Sequence, residues 1–250
     1  MKDVSNPPPK NRILNSISAG AMDRLRPSLE TFPMELGKVI LRPDQPIDYL
    51  YFPENSMISV VVRSEEGQAA EVAVIGNEGA AGTGALLGAR NSPHENIVQL
   101  GDGGSRIKTD EIRAEFERRG SLYRSVLSFT HKYMVQVAQT AFCNRFHRHD
   151  QRLSRWLLMY ADRCVADTLP LTHEFLAVML GANRTTVTTT AIELQNQGLI
   201  SYFRGMIKIT NRAGLESSAC ACYSIIKNTY SATPPAPAFQ IPDPRQQTKS

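Results

Sequence analysis

Residues 171–210 constrain the fold most, because they combine two short helical patterns, a tight turn between them and a hairpin pattern. Thr172 suits a helix N-cap, Gly181 suits a left-handed helix end, and Asn183 suits the N-cap of the next helix. The first helix has apolar residues at the spacing of one buried face: Phe175, Leu176, Met179 and Leu180. Two helices joined so closely must cross steeply, which predicts a helix-turn-helix.

The second helix of this pair has two different faces. Val187, Ala191 and Leu194 share the inner face. The opposite face carries Arg184, Thr185, Thr188, Thr189 and Ile192. Five of the six residues from 185 to 190 are threonine, each about 0.5 kcal/mol less favourable in a helix than alanine. Packing must therefore hold this helix, and its outer face is the candidate recognition surface.

The hairpin pattern at residues 198–210 predicts a β-wing, and the charge of this region is concentrated. Residues 183–212 contain four basic residues and one acidic residue, a net +3 of the chain's +4. An ordinary amphipathic helix pair would also explain the apolar spacing. The localised positive charge favours binding to phosphates, and hence to nucleic acid.

These residues resemble the Crp/Fnr family of bacterial transcription regulators. The resemblance covers most of the chain, and its most specific motifs are Leu180-Gly181, Arg184-Thr185-Thr186-Val187 and Gly198-Leu199-Ile200-Ser201. It implies an α+β fold with three parts. These are an N-terminal double-wound antiparallel β-roll of the cyclic-nucleotide-binding type, a long dimerisation helix and a C-terminal winged helix-turn-helix.

The resemblance also implies roles for individual residues. Arg184 would contact a guanine and Thr186 a phosphate of a palindromic double-stranded operator, bound by a homodimer. We predict a DNA-binding surface of Arg184, Thr185, Thr186, Thr188, Thr189, Arg204 and Lys208. Many relatives carry glutamate at position 185 and arginine at 189, whereas this chain has threonine at both. Its operator need not resemble theirs, since threonine methyl groups could contact thymine.

Short strand patterns occupy the first half of the chain after a helical pattern at residues 11–29. We predict strands at residues 38–41, 47–52, 57–63, 70–75 and 96–100, separated by turn residues. Their spacing is typical of an antiparallel roll or barrel. Eight of the sixteen glycines lie between Gly76 and Gly104, which permits sharp turns or close approach to a ligand.

Residues 75–79 resemble the start of the phosphate-binding cassette of cyclic-nucleotide domains. The family's glutamate, matched by Glu78, binds the ribose there, and a later arginine binds the cyclic phosphate. The corresponding segment of this chain is residues 90–96. Proline and an acidic residue lie where the arginine is expected, and Arg90 is displaced from that position toward the loop. We therefore expect an unidentified small-molecule effector other than a cyclic nucleotide. Glu78 and Arg90 are candidate ligand contacts, with a turn or packing role favoured for Glu78.

Two helical patterns follow the roll and a short charged helix at residues 110–119. The first has an apolar stripe of Leu122, Val126, Phe129, Tyr133, Val137 and Thr140. We favour pairing of this stripe with a second copy over packing on its own roll alone. The second, residues 149–163, has Trp156 on its inner face and is predicted to expose Arg148, Arg152, Arg155 and Arg163. His147 and His149 are interpreted as part of a solvated basic hinge rather than a ligand sensor.

The four cysteines, at positions 143, 164, 220 and 222, are too few for a disulfide framework. Cys143 and His147 share a helical face and could bind a metal or cofactor, whereas Cys220 and Cys222 are closer than in the usual two-residue knuckle. Structural thiols are favoured, so neither a metal nor a cofactor is predicted. With no cysteine before position 143, an N-terminal iron–sulfur cluster of the Fnr type is not expected.

Composition fits a globular protein, at 42% hydrophobic and 21% charged residues. No signal peptide or membrane span is expected, which predicts a cytoplasmic protein without a membrane partner. The predicted organisation is a tail at 1–11, a β-roll at 12–120, a dimerisation helix and hinge at 121–147, a winged helix at 148–228 and a tail at 229–250.

The sequence lacks a P-loop, a dinucleotide-binding loop, a metal-binding histidine pair and a Gly-x-Ser-x-Gly motif, so an enzyme is not expected. The preferred hypothesis is a sequence-specific transcription regulator, with RNA polymerase as a candidate further partner. The alternative is a ligand-binding regulatory subunit that acts on another protein. A basic recognition helix and wing would have no purpose in such a subunit.

Overall fold

A computed structural model describes residues 9–163 and 168–232. Two antiparallel sheets form the N-terminal roll, in the strand orders β1-β7-β3 and β2-β6-β4-β5. Their strands are β1 (Glu30–Phe32), β2 (Val39–Leu41), β3 (Tyr49–Pro53), β4 (Met57–Arg63), β5 (Ala69–Ile75), β6 (Glu95–Leu100) and β7 (Gly104–Lys108). A 3₁₀ turn, Thr83–Leu87, lies between β5 and β6.

Helices precede and follow the roll. They are α1 (Arg12–Ser16), α2 (Ala19–Leu25), the 3₁₀ turn Arg26–Ser28, α3 (Thr109–Glu117), α4 (Ser121–Phe146) and α5 (His149–Ala161). The C-terminal part contains β8 (Thr168–Pro170), α6 (His173–Leu180), α7 (Arg184–Asn196), β9 (Ile200–Phe203), β10 (Met206–Ile209), α8 (Arg212–Ser218) and α9 (Ala221–Ser231). β8, β10 and β9 form a third antiparallel sheet in that order.

The molecule has two main hydrophobic cores. One lies inside the roll, where Leu50, Val98 and Ile107 pack with α1, α2 and the first half of α4. The other joins α5, α6, α7 and the C-terminal sheet, and it also includes Met57 and Val74 from the four-stranded sheet. The winged part therefore packs directly on the outer face of β4 and β5, and we call this contact the seam.

The five predicted strands are confirmed, with ends that differ by one or two residues. Three strands were missed: β1, β7 and β8. β1 and β8 are three residues long, too short for alternation to be visible, and β7 begins directly at a glycine turn. The helical pattern at 11–29 is interrupted, since Ile17 has an extended backbone between α1 and α2.

The apolar stripe of α4 packs on its own roll, which was the alternative to pairing with a second copy. Leu122, Val126 and Phe129 are buried in the core of the roll, and Tyr133 and Val137 pack against it. A different face of α4 is open to solvent and carries apolar and small residues: Leu127, Met134, Ala138, Ala141, Phe142 and Phe146. Helical periodicity located the stripe but could not show which surface would cover it.

Three of the four arginines assigned to the outer side of α5 were placed on the wrong side, whereas Arg148 is exposed as predicted. Arg152 is 6% exposed and Arg155 is 4% exposed, rather than facing solvent. The side chain of Arg163 is 8% exposed. The reason is that α5 is covered on two sides. One side packs on the rest of the winged part, and the other side packs on the roll. Trp156 is buried in the core as predicted.

The structure also changes the ends of the predicted tails. Asn11 is fully buried, caps α1 and donates hydrogen bonds to the carbonyls of Pro53 (2.9 Å) and Gly79 (2.8 Å). At the other end, residues 229–231 still belong to α9. The rest of the predicted tails, at 1–8 and 233–250, and Cys164 lie outside the described residues. None of the helices in 9–163 and 168–232 combines the length and apolar character that a membrane crossing needs.

Candidate nucleic-acid interface and ligand pocket

Local capping builds the helix-turn-helix as predicted. The Thr172 hydroxyl accepts a hydrogen bond from the Phe175 amide (3.2 Å), and the Asn183 side chain accepts one from the Thr186 amide (2.8 Å). Between them Gly181 adopts the left-handed conformation, with φ 55° and ψ 42°. A residue with a Cβ is disfavoured there. The turn therefore fixes α7 relative to α6.

The outer face of α7 presents most of the predicted residues to solvent. Arg184, Thr185 and Thr189 are exposed, and Thr186 is half-buried. Arg184 lies 3.8 Å from the Glu174 carboxylate, and both side chains are more than 70% exposed (72% and 75%). This contact is long and solvated, so it leaves the guanidinium available to a partner.

Thr188 is an exception on this face. Its hydroxyl lies 2.9 Å from Nδ1 of His173 and also donates to the Arg184 carbonyl (2.9 Å). The His173 ring stacks on Tyr202 of β9, with centroids 4.2 Å apart. Burial, with a smaller effect of Arg184, lowers the pKa of His173, which favours the neutral ring. Thr188 therefore serves to connect α6, α7 and the wing.

His173 and Tyr202 were not identified from the sequence. The only available signal was the position of His173 in the first turn of a helix whose N-cap had been recognised. The stacked rings join α6 to β9, and β9 pairs with β10 from Ile200 to Phe203. Because His173 also contacts Thr188 of α7, the stacking orients the hairpin relative to α7. The helix and the wing thus behave as one surface.

The wing presents its two predicted basic residues. Arg204 and Gly205 form the tip of the hairpin with φ values of 49° and 77°. Arg204 is exposed and lies over the Phe203 ring, 5.0 Å from its centroid. Lys208 is exposed in β10. Cations at the tip and on the strand suit contacts with a phosphate backbone.

A second candidate site is a pocket of about 200 Å³ inside the roll, covered by α4. Apolar residues such as Leu41, Val60 and Phe129 line it, together with Thr83, Ser92, His94, Asn96 and Tyr133. Burial raises the pKa of Tyr133 to about 12, so the phenol keeps its proton and remains a donor. Nδ1 of His94 is buried and has no hydrogen-bond partner among the described residues. The pocket therefore offers hydroxyl, amide and imidazole groups in an apolar wall.

Neither predicted ligand contact lines this pocket. Arg90 is exposed. Glu78 is turned to the seam, where Nε and Nη2 of Arg163 lie 2.8 Å and 2.7 Å from its Oε1. The same oxygen accepts a hydrogen bond from the Gly76 amide (3.1 Å). This position agrees with the turn and packing role that we favoured for Glu78.

The seam contains a second buried carboxylate, Glu71 of β5. Trp156 Nε1 donates to Glu71 Oε1 (2.7 Å), and the Ser59 hydroxyl donates to its other oxygen. Burial raises the pKa of Glu71 to about 7, although both hydrogen bonds and the charge of Arg155 oppose this. Glu71 and Glu78 together tie the roll to the middle of α5 and to the residue two positions after its end.

Comparisons with known proteins show what the chain resembles. A model of the Crp-like helix-turn-helix domain matches residues 151–218. The described fold is that of Crp/Fnr transcriptional regulators, which confirms the resemblance and the α+β architecture with a long helix between roll and winged domain.

Three solved structures illustrate the likeness. A transcriptional regulator of the Crp/Fnr family from Eubacterium rectale has 16% identity and a TM-score of 0.66, over 82% of this chain and 96% of that one. The c-di-GMP-responsive global regulator CLP of Xanthomonas campestris has 15% identity and a TM-score of 0.64, over 77% and 99%. FixK2 of Bradyrhizobium japonicum has 16% identity and a TM-score of 0.64, over 77% and 98%. The chain has no match among curated protein sequences.

Proposed function

We propose that this protein is a sequence-specific, DNA-binding transcription regulator that acts in the cytoplasm as a homodimer. The observation that carries the proposal is the exposed basic surface of α7 and the wing, within a segment that matches the Crp-like helix-turn-helix model. Arg184 contacts a base edge, whereas Arg204 and Lys208 contact phosphates. The same surface argues against both an enzyme and a regulatory subunit that acts on another protein.

Selection from a random pool of DNA duplexes tests this function. We expect enrichment of a pseudo-palindrome with half-sites about 34 Å apart, because a two-fold dimer places its recognition helices one helical turn apart. Binding that is equally tight to every duplex at physiological salt would contradict a sequence-specific regulator. The absence of any binding would favour the regulatory subunit instead.

The dimer interface is the exposed face of α4. This face includes Leu127, Met134, Ala138 and Ala141. Successive members are separated by seven, four and three residues, which places them along one line of the helix. Met134 is 65% exposed and Leu127 is 39% exposed, which is unusual for apolar residues on one side of a helix. The two alanines permit close approach of a second α4.

Sedimentation of matched variants tests this interface. Met134→Glu should convert a dimer into a monomer, because two carboxylates would face each other across the two-fold axis. Gln139→Glu adds the same charge on the other side of α4 and should leave the dimer intact. A monomeric wild type at micromolar concentration, or a dimer that survives Met134→Glu, would contradict the assignment. Phe129 is unsuitable for this test because it is buried within the monomer.

The effector pocket in the roll takes a small uncharged molecule rather than a cyclic nucleotide. The pocket lining contains no arginine or lysine within the described residues. A phosphate anion would therefore be buried without a cationic partner, at a cost of several kcal/mol. Calorimetry with cyclic AMP and cyclic GMP should detect no binding in the micromolar range. Saturable micromolar binding of either nucleotide would overturn this part of the proposal.

A further inference from the structure

Two pairs of metal-ligating residues that are far apart in the sequence meet at the junction of the long helix and the C-terminal helix. Cys143 lies in the last turn of α4, and His147 is its C-cap. Cys220 is the N-cap of α9, and Cys222 lies in its first turn. The sequence analysis treated the two pairs separately, but their four ligand atoms lie within 4.8 Å of one another.

We propose that Cys143, His147, Cys220 and Cys222 bind one zinc ion in a closed structural site. Zinc prefers four tetrahedral ligands, with Zn–S of about 2.3 Å and Zn–N of about 2.0–2.1 Å. Tetrahedral angles then separate two sulfurs by about 3.8 Å, and a sulfur and a nitrogen by about 3.6 Å. The Cys143 and Cys220 sulfurs are 3.5 Å apart, and Cys222 Sγ lies 3.6 Å from His147 Nδ1. The atoms are thus arranged at the scale of a single ion.

The one-residue spacing of Cys220 and Cys222 does not prevent this arrangement. Cys220 has an extended backbone, with φ −73° and ψ 161°, whereas Cys222 is already helical. The chain turns between them at the start of α9, which allows both sulfurs to approach Cys143 and His147. The spacing rule that argued against a metal applies to a knuckle and not to a helix start.

Two buried arginines beside the cluster supply independent support. Arg152 and Arg155 are 6% and 4% exposed. Arg152 donates to the Leu180 carbonyl and Arg155 to the Thr140 hydroxyl (3.3 Å), while Nε of each has no hydrogen-bond partner among the described residues. Neither guanidinium lies within 4.0 Å of a carboxylate in the part of the chain that the structure describes. Hydrogen bonds to neutral groups do not cancel a buried positive charge, so an anion in the cluster would stabilise both arginines.

Zinc with three thiolates and a neutral imidazole carries one net negative charge. Binding deprotonates the thiols that are still protonated and releases those protons to solvent. The resulting anion lies where the charges of both arginines already act on the cysteines, and it would offset them.

The position of the site gives it a structural role. His147 lies two residues before α5, so the ion fixes the hinge that leads from α4 into the winged domain. Cys220 and Cys222 bring the end of that domain back to the same point. The ion would therefore hold the winged domain to the helix that covers the effector pocket.

Metal analysis of the purified full chain tests the proposal. We expect about one zinc per chain, retained through gel filtration in the presence of reductant. Cys222→Ser and His147→Gln should each lose most of this zinc and lower the melting temperature by ~5–10 °C. Cys164→Ser removes the cysteine that is not among the four ligands, and His131→Gln removes an exposed imidazole of α4. Both controls should keep the metal.

Cobalt substitution provides a second readout on the wild type, should a variant fail to fold. Cobalt should give the visible bands of a tetrahedral ion and thiolate charge-transfer bands with the intensity expected for three sulfurs. Wild type without stoichiometric metal after growth with added zinc, with free thiols at all cysteines, would overturn the proposal. A disulfide between Cys143 and Cys220, seen as the loss of two hydrogen masses, would also overturn it, as would full zinc retention in Cys222→Ser.

Discussion

Charged side chains are exposed on the recognition surface of α7 and the wing, whereas at the seam they are buried in a close ion pair. On α7 and the wing, Arg184 and Lys208 are exposed, and the contact from Arg184 to Glu174 is a long 3.8 Å. At the seam, Arg163 and Glu78 are each 8% exposed in their side chains and lie 2.7 Å apart. Loosely held cations remain free for a partner outside the chain. Tightly held, buried charges instead fix one part of the chain against another.

Removal of the seam cation should have the largest effect. Arg163→Met retains an apolar side chain but leaves Glu78 buried without its partner, which should cost about 3–5 kcal/mol of unfolding free energy. Urea unfolding followed by fluorescence of the single tryptophan, Trp156, measures this loss. The further change Glu78→Leu should recover much of it, because the unpaired carboxylate is then gone.

A more exposed ion pair serves as the comparison. The Arg63 guanidinium lies 2.8 Å from Glu95, and their side chains are 44% and 12% exposed. Because solvent reaches Arg63, Arg63→Met should cost about 1 kcal/mol, well below the loss for Arg163→Met. Equal losses for Arg63→Met and Arg163→Met would show that the seam is as solvated as the surface, and the comparison would fail.

The second carboxylate of the seam should make stability depend on pH. Because the pKa of Glu71 is raised from 4.5 to about 7, the folded protein keeps a proton that the unfolded chain has lost between these values. This residue's contribution to stability therefore decreases as pH rises through that window and is constant above it. The total change is about 3 kcal/mol. Glu71→Gln should remove this dependence.

Trp156 fluorescence in the native state gives a direct check, since its indole donates to Glu71. Wild type should titrate with a midpoint near pH 7, and Glu71→Gln should not. Glu95→Gln, at a half-buried carboxylate outside the seam, should leave the midpoint unchanged. The same midpoint in wild type and Glu71→Gln would assign the transition to another group.

The smallest expected effect belongs to the recognition surface. Lys208→Ala should weaken binding to all DNA sequences alike and reduce the slope of log K against log salt by about one unit. Its effect on the free energy of unfolding should be within about 0.5 kcal/mol, because the side chain is exposed. An unchanged salt slope would remove Lys208 from the phosphate contacts.

The recognition surface could be predicted from the sequence because it depends on residues that are close together in the chain. The helix-turn-helix follows from local signals: caps at Thr172 and Asn183 and a glycine at position 181 all act within a few residues. Five of the seven strands of the roll also followed from local patterns, and β1 and β7 did not. The exposed outer face of α7 was therefore predictable down to individual residues, except for Thr188, whose hydroxyl is bound to His173.

The seam and the cysteine cluster could not be predicted in this way. The hydrogen bond between Trp156 and Glu71 joins residues 85 positions apart, and the Cys143 and Cys220 sulfurs are 77 positions apart. Periodicity identified the apolar stripe of α4 and the basic side of α5, but not their neighbours. Arg152 and Arg155 were therefore placed in solvent although both are buried.

In the proposed complex Arg184 contacts a base, whereas Arg204 and Lys208 contact phosphates. The most direct measurement compares Arg184→Ala with wild type on the selected operator and on a scrambled duplex at equal salt. We predict a loss of about 1–3 kcal/mol on the operator, relaxed preference at one base pair in each half-site, and a much smaller loss on scrambled DNA. Equal losses on both duplexes would contradict the account.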